Sequence, residues 1–198
     1  RDRSVSRGLG DVYKRQGRFC AGPCTQIFTN TAENNINQKN TCCFSGHRIV
    51  KSQDYDNILA NLDKILETLY NKGITNYISG GALGFDTLAA ESVIKLRSKY
   101  SNIRLILALP CKDQACKWNK IQKNQYTKLL GSADEVIYVS ESYTPECMHK
   151  RNRFMVDNSS AVIVYILSMS SGTAYTTNYA LDSGHCRIIN VLTGDFED

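Results

Sequence analysis

The sequence predicts a three-layer α/β fold built on a mainly parallel sheet of about six strands. From residue 41 onward, short apolar runs alternate with segments whose apolar residues recur at helical spacing. The run 103–109 is apolar at all but one position and ends at Pro110, as expected of a strand that is buried on both faces. Strands that alternate with helices in this way are typical of a parallel sheet covered by helices on both sides.

The predicted strands and helices follow one another along the chain. Six apolar runs predict the strands 41–45, 77–79, 103–109, 135–139, 161–166 and 187–191. Five segments between them predict helices: 55–71, a second from residue 87, 117–130, a fourth from residue 144, and 173–182. In the first helix six apolar side chains share one face, and Gly73 follows as a stop signal, so this helix is scaffold.

Two of these helices carry finer expectations. In the third helix we expect Trp118, Ile121 and Leu129 to face the core, and this favours a core role for Trp118 over stacking on a ligand base. The fourth helix is expected to begin with Thr144 as N-cap and Pro145 at the first helical position.

Length and composition are those of one globular domain. The chain has 198 residues, of which 42% are apolar, enough for a single core. Its net charge of +5 comes mostly from the start of the chain: residues 1–18 contain six Lys or Arg and two Asp, whereas the other 180 residues contain 18 basic and 17 acidic ones. A near-neutral domain argues against nucleic acid as a partner.

Residues 1–40 are expected to lie outside the domain, which is predicted to span 41–194. Residues 1–18 lack the apolar region of a signal peptide and are interpreted as a non-native or disordered leader. The stretch 19–40 is rich in Asn, Gln and Thr and is typical of a linker. No apolar run approaches the length of a membrane span, so we expect no membrane partner and a cytoplasmic location.

The eight cysteines do not predict a disulfide framework. Cys42 and Cys43 are adjacent in a predicted strand and therefore point to opposite faces of the sheet. Without a secretory signal the expected state is the reduced thiol. The spacings Cys20–Cys24 and Cys111–Cys116 are loose for a zinc site and the chain has only three His, so no metal site is predicted.

The glycine-rich stretch 79–86, Ser-Gly-Gly-Ala-Leu-Gly-Phe-Asp, connects the second strand to the second helix. Its three glycines, Gly80, Gly81 and Gly84, allow positive φ and remove the Cβ atoms that would keep an anion from the backbone amides. The helix start behind them adds further amide donors. The spacing matches neither a dinucleotide-dehydrogenase motif nor a P-loop. Two interpretations stay open: an anion site, or a tight turn in which Asp86 is the helix N-cap.

In a parallel α/β sheet, ligands bind outside the carboxyl ends of the strands. That rule places four predicted loops at one edge: Gly46-His47-Arg48, the glycine turn, Pro110-Cys111 and the loop 170–173. The sequence therefore predicts a ligand site at this edge.

Several motifs occur in order along these loops: CCFSGHR, ISGGALGFDTLAAE, LALPC followed by KW, ADEVIYVS, RNRFMVD, and SGTAYTTNYA before IIN. Together they resemble the YpsA-like family of the SLOG superfamily, a Rossmann-like group that includes the LOG phosphoribohydrolases and the DNA-processing protein DprA. The resemblance runs from about Thr41 to Val191. It implies a Rossmann-like fold and self-association. It also implies binding of a nucleotide or nucleotide-derived ligand, of the ADP-ribose or NAD kind, over the glycine turns, with no established reaction.

The chain departs from the family pattern at one predicted loop. Where family members tend to have Gly-Gly-Thr, this chain has Ser171-Gly172-Thr173, and an L-residue at position 171 enters positive φ less cheaply, so a less open second phosphate turn is expected. The catalytic pattern of the LOG enzymes is also not reproduced, and Glu91 lies well inside a helix. The resemblance therefore does not imply phosphoribohydrolase activity.

The predicted ligand-binding residues come from all of these loops. Arg48 and one of Arg151 and Arg153 are candidate phosphate clamps because a guanidinium matches phosphate geometry, and Arg151 is favoured. His47 is assigned a hydrogen-bonding role, Asp86 either binds ribose hydroxyls or caps its helix, and Thr173 either donates to phosphate or caps. The full set is Ser45, Gly46, His47, Arg48, Gly80, Gly81, Gly84, Asp86, Arg151, Gly172 and Thr173.

Three functions compete at this stage. The favoured one is a nucleotide-derivative binding module acting as a sensor or regulator. Several predicted loops offer backbone donors, whereas the sequence contains no complete set of catalytic residues. The alternative is a hydrolase that cleaves an N-glycosidic or phosphate bond, with Asp86 or Glu91 as the acid/base. Binding of single-stranded nucleic acid is the third, and the near-neutral domain argues against it.

Overall fold

The computed structural model describes residues 25–27, 36–167, 171–194 and 196–197. Eight strands, numbered in chain order, form one sheet: β1 (Thr25–Ile27), β2 (Thr41–Gly46), β3 (Asn76–Ser79), β4 (Arg104–Leu109), β5 (Glu135–Tyr138), β6 (Ala161–Tyr165), β7 (Arg187–Asn190) and β8 (Phe196–Glu197). Their order across the sheet is β1-β5-β4-β3-β2-β6-β7-β8. Every neighbouring pair is parallel except β7 and β8. The six predicted strands are β2 to β7, so the mainly parallel sheet is confirmed.

Five α-helices cover the two faces of this sheet: α1 (Tyr55–Asn71), α2 (Phe85–Arg97), α3 (Lys120–Ser132), α4 (Cys147–Asp157) and α5 (Gly172–Ser183). Two short 3-10 turns, Gln38–Asn40 and Ser52–Asp54, precede β2 and α1. Helices α1, α2 and α3 pack in one apolar core, and α4 and α5 in another on the opposite face. The three-layer, Rossmann-like α/β fold is therefore confirmed.

The strands alternate between the two cores, as the period of two in an extended chain requires. Cys42 and Phe44 of β2 belong to the core under α1, α2 and α3, whereas Cys43 between them belongs to the core under α4 and α5. The same alternation runs through β4, where Leu105 and Ile106 lie in different cores. Cys42 and Cys43 thus lie on opposite faces, as predicted.

The ends of the chain differ in part from the prediction. Within the predicted linker, β1 pairs with β5 and the turn Gln38–Asn40 is capped by the Asn37 side chain, which accepts a hydrogen bond from the Lys39 amide. The last predicted strand, 187–191, is not at the edge of the sheet, because a turn with Gly194 at φ 72° leads back to β8, which pairs with β7. The predicted leader, Cys20, Cys24 and Ser170 lie outside the described residues.

Two predicted details of the helices were also wrong. Asn119 forms a capping box with Gln122, so α3 begins after Trp118, and Ile121 is left 79% exposed instead of facing the core. Leu129 is buried as predicted, and Trp118 packs against Tyr126 with the ring centroids 5.2 Å apart. Helix α4 begins at Cys147, and the Thr144 hydroxyl is buried without a hydrogen-bond partner among the described residues instead of capping the helix.

The described cysteines are all free thiols, buried at 42, 43, 111, 147 and 186 and exposed at 116. Within the described residues, no cluster of three or more His, Cys, Asp or Glu could hold a metal ion. No helix in the described part of the chain has the length and apolar character needed to cross a membrane.

The strand order creates a crevice at the centre of the sheet. From β2 the chain progresses through β3, β4 and β5 to one side, and β6 then returns to the other side of β2. The carboxyl ends of β2 and β6 therefore diverge into loops that lead away from each other. In open α/β sheets this switch point is where ligands bind.

Gly84 provides a test of how this edge is packed, and Gly184, after α5, is its control. Both have positive φ, 79° and 64°, but a Cβ at Gly84 would lie 2.3 Å from the Arg48 carbonyl oxygen, whereas one at Gly184 would meet none of the described residues within 4 Å. We expect Gly184→Ala to lower the free energy of unfolding by about 1–2 kcal/mol through left-handed strain alone. Gly84→Ala should cost roughly 2–5 kcal/mol because the clash is added. Urea unfolding measures both, and equal losses would contradict the packing described.

Candidate functional site

A cavity of about 600 Å³ opens at the carboxyl ends of β2 and β6, within the size range of small-molecule sites. Four segments line it. Residues 45–49 and Lys51 lie at the end of β2 and in the loop after it; Ala82 and Asp86 lie just before α2 and in its first turn; Met148, Arg151 and Asn152 lie on α4; Leu167 and residues 171–173 lie after β6 and at the start of α5. The cavity therefore occupies the switch point of the sheet, between its two helical layers.

A buried ion pair lies in the wall of the cavity. Arg151 and Asp86 are only 8% and 3% exposed, and Arg151 Nη1 donates to Asp86 Oδ2 at 3.3 Å. The same nitrogen lies 3.6 Å from Met155 Sδ. Arg151 Nε is buried and has no hydrogen-bond partner among the described residues. The guanidinium thus has a donor left over after its pairing with Asp86.

Burial raises the pKa of the Asp86 carboxyl above its ordinary range. The Arg151 guanidinium and the amides of Ala82 and Gly46 oppose this shift, because they favour the ionised form, but do not cancel it. Asp86 is not the N-cap of α2, since that position is Gly84. The interpretation of Asp86 as a plain helix cap was therefore wrong: its carboxylate instead joins α2 to α4.

The three glycines of the turn after β3 pack against the protein instead of lining the cavity. The Gly81 amide donates to Ser79 Oγ at 3.2 Å, and the Gly81 carbonyl accepts from Gln114 Nε2 at 2.7 Å. A Cβ at Gly80 would lie 1.4 Å from Arg151 Nη1. Because Gly80 has no Cβ, the Arg151 guanidinium can pack directly against its backbone. The Arg48 backbone packs against Gly84 for the same reason. The amides of Gly81 and Ala82 face protein side chains, which differs from the open anion site expected from the sequence.

His47 connects the two loops of the switch point. Its Nε2 accepts a hydrogen bond from the Leu167 amide at 2.8 Å, so this nitrogen carries no proton and the neutral ring is protonated at Nδ1. Its carbonyl oxygen accepts from the Phe85 amide at 3.1 Å. His47 thus holds the β2 loop against both α2 and the β6–α5 loop, which is a positioning role.

The start of α5 is the amide-donor site that faces the cavity. Ser171 is the N-cap, and its Oγ accepts from the Ala174 amide at 3.2 Å. The amides of Gly172 and Thr173 precede the first intrahelical donor. A Cβ placed at Gly172 would meet no described residue within 4 Å beyond its chain neighbours and its own helix. Ser171 has φ −131° and ψ 166°, an extended conformation open to any residue. Position 171 therefore does not require positive φ, and the reason given for expecting a less open turn at this serine was wrong.

The cavity is lined by an excess of positive charge. Its cations are Arg48, Lys51 and Arg151, and its carboxylate is Asp86. Arg48 and Lys51 are exposed, and neither forms an ion pair with another residue in the described part of the chain. Cations that point into a partly enclosed space without a protein partner favour an anionic ligand.

The structure brings most of the predicted site residues together. Those that line the cavity are Ser45, Gly46, His47, Arg48, Asp86, Arg151, Gly172 and Thr173. The three glycines of the turn after β3 lie behind this wall. Gly46 lies against Phe85, because a Cβ there would come 2.3 Å from the Phe85 ring.

Sequence reasoning missed Ile49, Lys51, Met148 and Leu167 as lining residues. Ile49 and Lys51 directly continue the predicted His47-Arg48 loop, and Leu167 directly follows β6, so extending each loop by a few residues would have found them. Met148 is one helical turn before Arg151, and the same face of α4 therefore carries both.

Other weighed residues lie elsewhere. Arg153 is exposed, and its Nη1 lies 3.5 Å from the Tyr175 hydroxyl. Glu91 accepts from Gln125 on the outer surface at 2.9 Å, away from the cavity. Of the two carboxylates considered as an acid/base, only Asp86 lines the cavity.

Comparison with known proteins identifies the family. The YpsA family model, described as the YspA SLOG family, matches residues 46–187. The chain belongs to the YpsA family of SLOG proteins. The resemblance drawn from the sequence motifs is thereby confirmed, and the matched range contains the whole lining of the cavity except Ser45.

Sequence relatives agree with this assignment. The SPbeta prophage-derived protein YoqJ of Bacillus subtilis (strain 168) is 36% identical over 137 residues, which cover 63% of this chain and 78% of YoqJ. A UPF0398 protein of Bacillus pumilus (strain SAFR-032) is 30% identical over 108 residues, covering 54% of this chain and 58% of that protein.

Solved structures show the same fold in more distant proteins. DNA processing protein A (DprA) from Streptococcus pneumoniae superposes with a TM-score of 0.55 at 16% identity, over 76% of this chain and 49% of that chain. TM1055 superposes with a TM-score of 0.50 at 16% identity, over 76% of this chain and 72% of that chain. This chain thus spans about half the length of the DprA chain, and the likeness concerns the fold alone.

The buried carboxyl gives a pH dependence of stability with a defined sign. Because the folded-state pKa of Asp86 lies above the ordinary 3.8, the folded protein keeps a proton that the unfolded chain loses. The stability contributed by Asp86 is therefore complete at low pH and is lost as the pH rises through the folded-state pKa. We expect the free energy of unfolding of wild type minus that of Asp86→Asn to fall as the pH rises above about 4.

Glu67 supplies the matched control for this experiment. Lys99 and Tyr100 hydrogen-bond to its carboxylate and lower its pKa, so wild type minus Glu67→Gln should rise with pH over the acidic range. Urea unfolding at a series of pH values measures both differences. A wild type minus Asp86→Asn difference that rises with pH would show that Arg151 outweighs burial at Asp86.

Proposed function

We propose that the protein binds a nucleotide or nucleotide-derived ligand in the cavity at the switch point, as a sensor or regulatory module. The observation that carries this proposal is the concentration of unused donors there. Arg151 Nε is buried without a partner among the described residues, and Arg48 and Lys51 form no ion pair with them. Family membership supports it, because nucleotide-derived ligands are what the resemblance implies.

The phosphate of the ligand is bound at the start of α5. The Gly172 and Thr173 amides and the helix dipole favour an anion there, and the buried Thr173 side chain lines the same wall. Arg151 supports this site from α4 with its remaining donor. Arg48, on the opposite loop, reaches the phosphate from solvent and matches its geometry with a planar fork.

Asp86 has a structural part in this arrangement. It holds the Arg151 guanidinium in place, so the ligand meets an arginine whose position is already fixed. A fixed donor loses less conformational entropy on binding than a flexible one does. The carboxylate also limits the positive charge of the cavity, which selects against small, highly charged anions.

Hydrolysis of the bound ligand is the second candidate, and one observation favours it. Asp86 is a carboxyl with a raised pKa in the wall of the cavity, a combination that enzymes use for general acid catalysis. Incubation of each nucleotide with protein in excess, followed by chromatography for free base and phosphate, decides between the two. Intact ligand after prolonged incubation supports binding alone.

Binding is tested by calorimetry and thermal shift with AMP, ADP-ribose and NAD against wild type, Arg48→Glu and Lys123→Glu. Lys123 is the matched control because it is an exposed cation on α3 that does not line the cavity. We expect at least one nucleotide to stabilise wild type. Arg48→Glu should weaken its binding by roughly tenfold or more, because a charge-assisted hydrogen bond is lost and a repelling charge gained.

Lys123→Glu should bind as wild type does, since its charge change lies outside the cavity. Equal weakening in the two variants would indicate a general charge effect and no site at Arg48. No stabilisation of wild type by any of the nucleotides would contradict the proposed function.

A further inference from the structure

Two of the exposed large hydrophobic side chains meet at the cavity. Ile49 is 80% exposed and Leu167 is 39% exposed, and both line it. The other exposed large hydrophobics of the described residues lie outside the lining: Tyr55, Ile121, Tyr143 and Leu181. Single exposed hydrophobics are common on protein surfaces, but two that line the same cavity mark a contact surface.

The loops that carry these two side chains are held together. The Leu167 amide donates to His47 Nε2 at 2.8 Å. The backbone of Leu167 is therefore bonded directly to the loop that carries Ile49. On the other side of Ile49, the Lys51 amide donates to the Tyr165 hydroxyl at 3.3 Å, and that hydroxyl donates to Asp54 at 2.8 Å. The two apolar side chains are therefore presented by an anchored framework.

Charge surrounds this apolar pair. Arg48 and Lys51 flank Ile49 in the chain, and the start of α5 follows Leu167. A ligand that satisfies both features has an anionic part and, joined to it, an apolar part with two accessible faces. A nucleoside phosphate has this chemistry, because its base is flat and its phosphate charged. A sugar phosphate or inorganic phosphate would leave Ile49 and Leu167 in water.

We propose that Ile49 and Leu167 form the base-binding element of the cavity and determine its preference for nucleotides over sugar phosphates. This inference rests on the proposed function and assigns to these residues the recognition of the base. The two side chains contact the base through its faces and offer it no hydrogen bonds, so they select for a large flat ring and do not distinguish adenine from guanine. Purine nucleotides should therefore bind more tightly than pyrimidine nucleotides, which bury less apolar area.

The experiment compares the adenine nucleotide that binds most tightly among AMP, ADP-ribose and NAD with ribose 5-phosphate, by calorimetry. The proteins are wild type, Ile49→Ala, Leu167→Ala and Ile121→Ala. Ile121 is the matched control, since at 79% it is as exposed as Ile49 but lies on α3. Because Ile49 is mostly exposed, its truncation leaves the core intact, and thermal unfolding without ligand checks this.

We expect wild type to bind the nucleotide at least tenfold more tightly than ribose 5-phosphate, since the base buries apolar surface. Ile49→Ala and Leu167→Ala should each weaken nucleotide binding by roughly tenfold and leave ribose 5-phosphate binding unchanged. Ile121→Ala should change neither. Equal affinity of wild type for the two probes, or equal weakening of both by Ile49→Ala, would overturn the inference while leaving anion binding intact. Binding of neither probe would overturn the proposed function itself, and this inference with it.

Discussion

The buried pair of Arg151 and Asp86 is the contact on which the site depends. Arg151 belongs to α4 in one helical layer and Asp86 to α2 in the other, so their hydrogen bond joins the two layers at the carboxyl edge of the sheet. Gly80 is required for it, because any Cβ there would occupy the position of the guanidinium. A buried ion pair contributes little net stability, since desolvation offsets attraction. Its value here is geometric: it fixes a charged donor beside a cavity.

This pairing explains why the glycine-rich stretch differs from a phosphate loop. In a phosphate loop the backbone amides remain free for the ligand. Here the Ala82 amide faces the Asp86 carboxylate and the Gly81 amide binds Ser79, so the protein supplies its own oxygen atoms to the turn. The anion site that we propose lies instead at the start of α5, whose first amides face the open cavity. The glycines pack behind the wall of the cavity, and α5 provides the donors that face it.

Local sequence signals predicted most of the fold but not the position of the site. Hydrophobic periodicity is a property of short segments, and it predicted six strands and five helices in the correct order. The adjacency of β2 and β6 depends on pairing between residues more than 110 positions apart, such as Cys42 with Ala161, and no local signal encodes it. The glycine turn follows β3, one strand away, so the sequence alone centred the site there. Ile121 was misplaced for a local reason, since the capping box at Asn119 set the start of α3.

The strands and the loops of the cavity differ in what they share with other proteins of the same fold. The strand order fixes where a cavity forms, and the likeness to DprA at 16% identity concerns that architecture alone. In the function proposed above, the ligand is selected by side chains on loops that the sheet does not constrain, above all Arg48, Ile49 and Leu167. Because these side chains project from the ends of β2 and β6 and contribute little to either core, they can change without cost to folding. One scaffold can therefore present the same anchored arginine to different ligands. The side chains on the loops after β2 and β6 are the place to look for the identity of the ligand.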